Sequence, residues 1–395
     1  MRIAIVGAGI AGLTSALAFS GRGHEITLLE RRTGFGETGA GIQLSPNATG
    51  ILLSLGLGPA LRRCACEPDG MTIRALRDGR RIGGVAFGPS MRDRFGAPYL
   101  ALSRSDLHTI LLDAVRARPD ILIRVGRGAN AVSERDGVAQ IEGESAGGQQ
   151  GSVVADLVIG ADGVVSRMRA SLGEDVPPAY SGFAAYRAVL PAEARPAGFG
   201  PDETGLWLGP GAHVVHYPVA AGRQLNLVVV ASRPKPSEGW SREASPDEVM
   251  AALARAHPDL RALAGRAEAW SAWSLFTHTA RRLGRGRVAL VGDAAHPVLP
   301  FLAQGGGLAI EDAAHLAALV GSDPAAVPDA VAAYARARLP RVRRVQQAAR
   351  SNGRVYHASG LVALGRNLVM RRLGPEGMRE RYAWLYGWTP PAPKA

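Results

Sequence analysis

The sequence predicts an α/β protein in which a Rossmann-like domain is interleaved with a largely antiparallel second sheet and closed by C-terminal helices. Three observations predict it. Residues 1–30 run strand, glycine turn, helix, strand, acid. Two later apolar strand-type segments end in glycine and aspartate, at Asp162 and at Asp293. Between those two ends, residues 179–274 change to alternating strands, the period-2 signature of a sheet with one buried face.

Arg2–Val6 is a short β-branched and aliphatic run, and Gly7, Gly9 and Gly12 follow it as G-x-G-x-x-G. Gly7 allows the tight turn out of the strand, Gly9 leaves room for a pyrophosphate, and Gly12 lets the next helix lie close to the sheet. Phosphates placed there meet the positive N-terminal end of a helix beginning near Ile10. A second strand over residues 26–29 leads into Glu30, 18 residues after Gly12, where a carboxylate accepts hydrogen bonds from an adenosine ribose. The same stretch has the outline of an export signal, but four glycines within residues 7–21 and the acid-ended second strand argue against that. A cytoplasmic protein is expected.

Residues 31–48 are turn-rich and recover into an apolar helix over 51–57; such a loop passes close to a flat ligand. Residues 71–76 and 81–87 alternate around Asp78-Gly79, a hairpin signal. Helical periodicity returns over 103–118, with Ser105 and Asp106 as capping candidates. Strands are expected at 121–125, 131–133 and 138–141, a polar turn at 143–152, and one continuous strand at 153–159. In the second sheet the strands fall at 183–190, 205–208, 212–219 and 224–231, followed by one helix over 246–264. A buried-type strand at 288–291 then leads to the loop at 297–307, an apolar helix over 308–320 and an arginine-studded helix over 325–350. The tail from 389 is proline-rich and expected to be disordered. The expected division is 1–70, 98–178 and 275–350 for the first domain, 71–97 and 179–274 for the second, and 351–395 for C-terminal helices and tail.

The totals narrow the function. At 395 residues and 41.3 kDa, with 47% hydrophobic and 20% charged residues, the chain is an ordinary globular protein larger than one core. A net charge of +12 favours anionic ligands. Its arginines are dispersed, and only Lys235 and Lys394 are lysines, so nucleic-acid binding is not expected. No apolar run reaches the length of a membrane span. Cys64 and Cys66 make neither a disulfide framework nor a zinc-type set, so no metal site is expected.

Three motifs in order, GAGIAG at 7–12, GADGVVSRMR at 160–169 and GDAAHPVLPFLAQGGGLAIEDA at 292–313, resemble those of the flavin-dependent aromatic hydroxylases related to p-hydroxybenzoate hydroxylase. GAGIQLSPNA and GPGAHVVHYPV bring the chain nearest to salicylate, hydroxybenzoate and hydroxynicotinate hydroxylases. The resemblance implies FAD as cofactor, with Glu30 and Arg31 at the adenosine end, Arg104 at the phosphate or ribityl region, and Ala129 offering backbone near adenine. It further implies that Asp293 binds the ribityl or pyrophosphate part, that Asp162 serves the flavin and nicotinamide region with Arg169 nearby, and that Gly305 and Gly306 aim N–H groups at the flavin. Gly7, Gly9, Ala11, Gly12, Gln43 and Pro300 complete the implied cofactor contacts. Helix capping is the competing role for Asp162 and Asp293.

The family's chemistry is implied likewise: NADH or NADPH donates hydride to FAD, and a flavin C4a-hydroperoxide made with O2 hydroxylates a small hydroxy-aromatic acid. A general base near the phenol is then expected. The candidate is His213, in a strand whose next same-face polar residue is Tyr217, about 13 Å on at about 3.3 Å per residue; His216 points to the opposite face. Gln304 is a candidate for hydrogen-bonding a substrate oxygen, and Arg187 for meeting a substrate carboxylate bidentately. Gln43 stands where hydroxynicotinate enzymes have histidine, which argues against a pyridine substrate. His296 is expected to be structural. The arginine-rich helix after Ala325 offers a surface for a homodimer. Two alternatives remain: a same-fold flavoprotein acting on a polyketide or other larger substrate, and a non-catalytic nicotinamide or flavin redox module.

Overall fold

Two large sheets of different character divide the chain. A computed structural model describes residues 1–36, 41–174, 176–196, 198–200, 202–237 and 241–392. The strands are β1 (Arg2–Val6), β2 (Glu25–Glu30), β3 (Gly41–Leu44), β4 (Gly70–Ala75), β5 (Arg81–Ala86), β6 (Leu100–Ser103), β7 (Ile121–Val125), β8 (Arg127–Arg135), β9 (Val138–Ser145) and β10 (Gln150–Ala155). They continue as β11 (Leu157–Gly160), β12 (Ala179–Pro191), β13 (Thr204–Gly209), β14 (Ala212–Val219), β15 (Gln224–Ser232), β16 (Ser241–Ala244), β17 (Trp270–Thr277), β18 (Gly284–Arg285) and β19 (Val288–Leu290). The helices are α1 (Ile10–Phe19), α2 (Pro46–Ser54), α3 (Gly58–Cys64), α4 (Pro89–Phe95), α5 (Arg104–Arg116), α6 (Met168–Ser171), α7 (Pro246–Ala252) and α8 (Pro258–Ala264). The last four are α9 (Gly305–Leu319), α10 (Val327–Tyr356), α11 (Gly360–Glu380, broken at Gly374) and α12 (Ala383–Tyr386).

The first sheet has the order β18-β19-β11-β1-β2-β7 and is parallel except at β18. Strand β1 buries every residue but Arg2, as a strand covered on both faces must. The second sheet, β16-β17-β12-β15-β14-β13-β4-β5, is antiparallel except where β13 meets β4. One face, with Val214, Leu227 and Val229, packs on Val249 and Leu260 of α7 and α8. The other, with Ile73, Leu206 and Leu208, packs with Leu308, Val345 and Met370 of α9, α10 and α11. No helix among the described residues is long and apolar enough to cross a membrane.

Local chemistry moves several expected boundaries. The single strand expected over 153–159 is two: β10 pairs with β9, and β11 enters the parallel sheet between β1 and β19. Asp156 is the hinge, accepting from Arg2 N at 2.8 Å and pairing with the Arg2 guanidinium at 2.9 Å. The polar turn expected at 143–152 shrinks to 146–149. The helix expected over 246–264 splits before Pro258, since proline disfavours helical backbone in the residue preceding it. Ser103, not Ser105 or Asp106, is the N-cap of α5. Within the turn-rich stretch after Glu30, β3 pairs with β6, and α2 starts early at Pro46, a residue pre-organised for a first helical turn. Residues 37–40 and 393–395 lie outside the described residues, and with them the first two positions of GAGIQLSPNA and the end of the tail.

A buried ion cluster joins α9 to α10. Arg338, 1% exposed, donates to Asp312 at 2.8 Å and to Glu311 at 2.7 Å, and Arg341 donates to Glu311 at 2.6 Å. Burial alone would push the Asp312 carboxyl up, but His296 and Arg338 outweigh it and hold it below the ordinary value. Its stabilising contribution is therefore present above the unfolded carboxylate value of about 4 and disappears as pH falls through the lower folded value. Removing one partner of a buried pair costs about 3–5 kcal/mol. Arg338→Met is thus expected to lower unfolding free energy by about that amount, read as a shift in urea midpoint; an unchanged midpoint would show that the cluster carries no such stabilisation.

Candidate active site

The cradle is built where β1, β11 and β19 end side by side. Gly7 has φ +103°, and a Cβ there would lie 2.5 Å from Ala161 O. A Cβ on Gly12 would lie 1.8 Å from Gly7 O. Both glycines are therefore required by close backbone approach. Gly9 differs: nothing lies within 4 Å of its Cβ position. It N-caps α1 with no side-chain cap, so the positive end of the helix opens onto free space.

Glu30 sits beside this turn. Its carboxylate accepts from Ala8 N and Arg32 N, each at 2.9 Å. The Gly128 Cβ position lies 3.7 Å from Arg31 Cβ, which brings Ala129, at a bulge of β8, to the same end of the cradle.

The other two strand ends are tied to the first. Asp162 accepts from Ser166 Oγ at 2.6 Å, Arg167 N at 2.7 Å and Met168 N at 3.1 Å; its carboxylate closes the turn that leads into α6, whose N-cap is Arg167. The Arg169 guanidinium donates to Val164 O at 2.8 Å and Ala294 O at 3.2 Å, bridging the Asp162 and Asp293 turns. The Cβ position of Gly292, φ +60°, lies 3.0 Å from Ala11 Cβ and 3.1 Å from Ala309 Cβ, seating the Asp293 turn between α1 and α9. Asp293 itself opens onto a cavity that it lines with Arg187, Trp273 and Pro300. Desolvation by the surrounding protein pushes its carboxyl up, opposed by the positive charge of Arg104 and by His296.

Gly305 and Gly306 open α9, and Gln304 is its N-cap without a side-chain cap. Nothing lies within 4 Å of the Gly305 Cβ position. Gln304 departs from expectation. It is 2% exposed, donates to Ser45 Oγ at 2.9 Å and accepts from Asn47 at 3.2 Å. Its amide thus braces α2 against α9. Gln43 accepts from Tyr99 OH at 2.7 Å, while its Nε2 is buried without a partner among the described residues.

The second sheet supplies the facing wall. Opposed residues in antiparallel strands share a face, so register gives rows. One row is Ala185, Val230, His213 and Leu208; the next is Arg187, Val228, Val215 and Leu206; Asn226 and Tyr217 follow. Arg187 stacks over the Trp273 ring at 5.4 Å. Burial lowers its pKa, with Tyr217 opposing and Arg104 adding to the shift. Tyr217 is buried, and burial pushes its hydroxyl well up.

His213 and His216 take opposite faces, as the alternation requires. His216 is enclosed by Phe199 and Trp207, with ring centroids 4.6 and 6.4 Å away, and burial pushes it down to about 3. His213 Nδ1 lies 2.8 Å from His357 Nε2, and burial with His357 lowers its pKa well below the usual imidazole value. His296 bonds Asp312, the structural role expected of it. Sequence reasoning missed His357, which lies 144 residues from its partner in no motif, and the roles of Glu311 and Asp312 inside the third motif.

An open helix terminus behind three glycine-tied strand ends is the arrangement of a dinucleotide-cofactor protein. The model of the FAD binding domain family matches residues 1–349. Full-length relatives include 3-hydroxybenzoate 6-hydroxylase of Klebsiella oxytoca, 35% identical over 98% of this chain and 97% of that protein. Another is 3-amino-4-hydroxybenzoate 2-monooxygenase of Streptomyces platensis, 38% identical over 98% and 96%. The fold is also that of a salicylate hydroxylase substrate complex, TM-score 0.82 and 25% identical, covering 98% of this chain and 95% of that one. The chain belongs to the FAD binding domain family and, within it, to the flavin-dependent aromatic hydroxylases.

The open positions fit that cofactor. Gly9 and Gly305 leave backbone N–H groups at two helix starts facing space, suited to a pyrophosphate and to an electron-rich ring edge. Gly9→Val is expected to leave the fold intact, because the extended backbone there accepts any residue and no protein atom lies within 4 Å of the Cβ position. It is expected to weaken FAD binding by at least about a hundredfold, the consequence of filling a phosphate seat. Flavin retained on purification together with an unchanged melting temperature would remove Gly9 from the cradle.

Proposed function

We propose that this FAD-dependent monooxygenase uses NAD(P)H and O2 to hydroxylate a small hydroxy-aromatic acid of the hydroxybenzoate or amino-hydroxybenzoate class. The observation that carries the reading is a guanidinium and an imidazole one row apart on a single sheet face, Arg187 and His213, with the valines Val215 and Val228 between them. A flat aromatic acid needs an anchor for carboxylate, an apolar floor for the ring and a base for the phenol, and the wall offers all three. The two relatives named above act on acids of this kind.

FAD, when bound, supplies the exchange of hydride with a nicotinamide and the activation of O2. The rest falls to the chain. Arg187, held over Trp273, meets the carboxylate bidentately; guanidinium stays charged even when burial lowers its pKa. His213, neutral and so carrying a free ring lone pair, is the group on this wall to take the phenolic proton, which makes the ring electron-rich toward an electrophilic oxygen. Tyr217, kept protonated by burial, is a hydrogen-bond donor at the far end of the wall. Glu30, Arg31 and Ala129 take the adenosine end, Arg104 and Asp293 the middle, and Gly305 and Gly306 present N–H groups to the flavin. Residues 1–70, 98–178 and 275–350 form the cofactor domain in this reading.

A panel of hydroxybenzoic and amino-hydroxybenzoic acids is expected to contain members that stimulate NAD(P)H oxidation with matching hydroxylated product. Purified protein without releasable flavin, or flavoprotein that no member stimulates, would end the proposal. Arg187→Met is expected to weaken binding of the acid about 10- to 100-fold, the worth of one hydrogen-bonded charge, while FAD content stays unchanged. Equal affinity for the acid in wild type and variant would exclude Arg187 as its anchor.

A further inference from the structure

His213 has a partner that no motif announces. His357 follows α10 directly, and its Nε2 lies 2.8 Å from His213 Nδ1. The two ring centroids are 5.0 Å apart. Phe183 packs on His357 at 4.9 Å, while Phe301 and Tyr356 meet His213 edge-on at 5.4 and 5.3 Å. The Nδ1 of His357 is buried without a partner among the described residues. An aromatic box of this kind fixes both rings, so the contact is a property of the fold.

Two neutral imidazoles in contact share one hydrogen, and one ring must donate while the other accepts. If His213 accepts, its own hydrogen sits on Nε2 and the ring offers no lone pair to a phenol. If His213 donates from Nδ1, the lone pair is held on Nε2. We propose that His357 is a positioning residue that accepts the His213 Nδ1–H bond and so holds His213 in the tautomer able to take the substrate's phenolic proton. This inference rests on the reading of His213 as the base. Once the proton moves from the phenol to Nε2, the phenol oxygen keeps the bonding pair, and the His213 cation continues to donate Nδ1–H to His357. A neutral acceptor stabilises that cation, whereas a charged one would repel it. Burial pushes His357 down to about 4, so it stands neutral at neutral pH.

The test uses the flavin-loaded full chain. His357→Phe keeps a ring between Phe183 and Phe301 but removes the acceptor; His357→Gln returns a polar amide near the position of Nε2. In His357→Phe the KM for the aromatic acid and the rate of flavin reduction are expected to stay within about threefold of wild type. Hydroxylation is expected to fall about 10- to 100-fold, part of the 10²–10⁴ that a whole general base supplies, and His357→Gln to recover most of it. Wild-type hydroxylation in His357→Phe, or an equal fall in both variants, would overturn the assignment.

A second readout needs no substrate. In ¹⁵N-histidine spectra of the holoenzyme, His213 is expected as the Nδ1–H tautomer, shifting toward Nε2–H in His357→Phe. A wild-type His213 carrying its hydrogen on Nε2 would also overturn it. Failure of every aromatic acid as substrate sinks the proposed function instead, and leaves the tautomer measurement free to stand or fall by itself.

Discussion

A guanidinium with almost no access to water governs how the segments around the three strand ends meet. Arg338 joins Glu311 and Asp312, and each carboxylate then reaches a different piece of chain. Asp312 accepts from Gly292 N at 2.9 Å and from His296, which fixes the turn carrying Asp293. Glu311 accepts from Asn47 at 2.6 Å, and Asn47 holds Gln304, which fixes the starts of α2 and α9. Trp388 closes the cluster, its ring 4.9 Å from the Arg338 guanidinium. Burying three charges costs several kcal/mol per ion, so such a cluster contributes little net stability beyond an apolar core of the same shape. What it contributes is placement, since the two carboxylates tie the Gly292 turn and Asn47 of α2 to one guanidinium.

On the opposite wall, placement comes from register. Two histidines three residues apart in β14 are equally buried, 2% and 1% exposed, yet only one faces α9 and α10. His216 meets aromatic rings and a packed helix layer, with neither ring nitrogen bonded to a described residue. His213 meets a second imidazole. Burial keeps both neutral, so burial does not distinguish a base from a packing residue; the neighbour at Nδ1 does. A slip of one residue in the β14–β15 register would exchange the two histidines. The long pairing from Ala212 to Val219 against β15 is what forbids it.

Much of this was legible in the sequence, and the rest was hidden for identifiable reasons. The glycine turn, the two later strand ends and the alternation of β14 are local signals, and local signals survive in one dimension. The break at Asp156 was not legible, because residues 153–155 at the end of β10 and 157–159 of β11 are both apolar and differ only in which sheet they join. Asp162 satisfies the turn that follows it, so its side chain reads as a cap as readily as a ligand. Gln304 was assigned to substrate from its place beside Gly305 and Gly306, but its side chain is claimed by Ser45 and Asn47, residues about 260 positions away. His357 and Arg338 were invisible for the same reason, since their meaning lies wholly in partners distant along the chain.

One strand belonging to neither large sheet sets the gap between cradle and wall. Gly41 N donates to Asn226 Oδ1 at 2.8 Å, and a Cβ on Gly41 would lie 2.6 Å from the Tyr217 ring. Next to it, Ile42 Cδ1 lies 2.7 Å from the Cβ position of Gly306 at the start of α9. Strand β3 is therefore a spacer, with a glycine against the wall on one side and its isoleucine against a glycine of the cradle on the other. Real Cβ contacts do not go below about 3 Å, so a methyl at Gly41 must displace the buried Tyr217 ring or the strand by a few tenths of an ångström, whereas the flexible end of Ile42 can turn aside from one at Gly306. Neither glycine has the positive φ that would mark it as a turn residue. At Gly41 the identity is dictated by the distance at which the Tyr217 ring on the wall faces the strand.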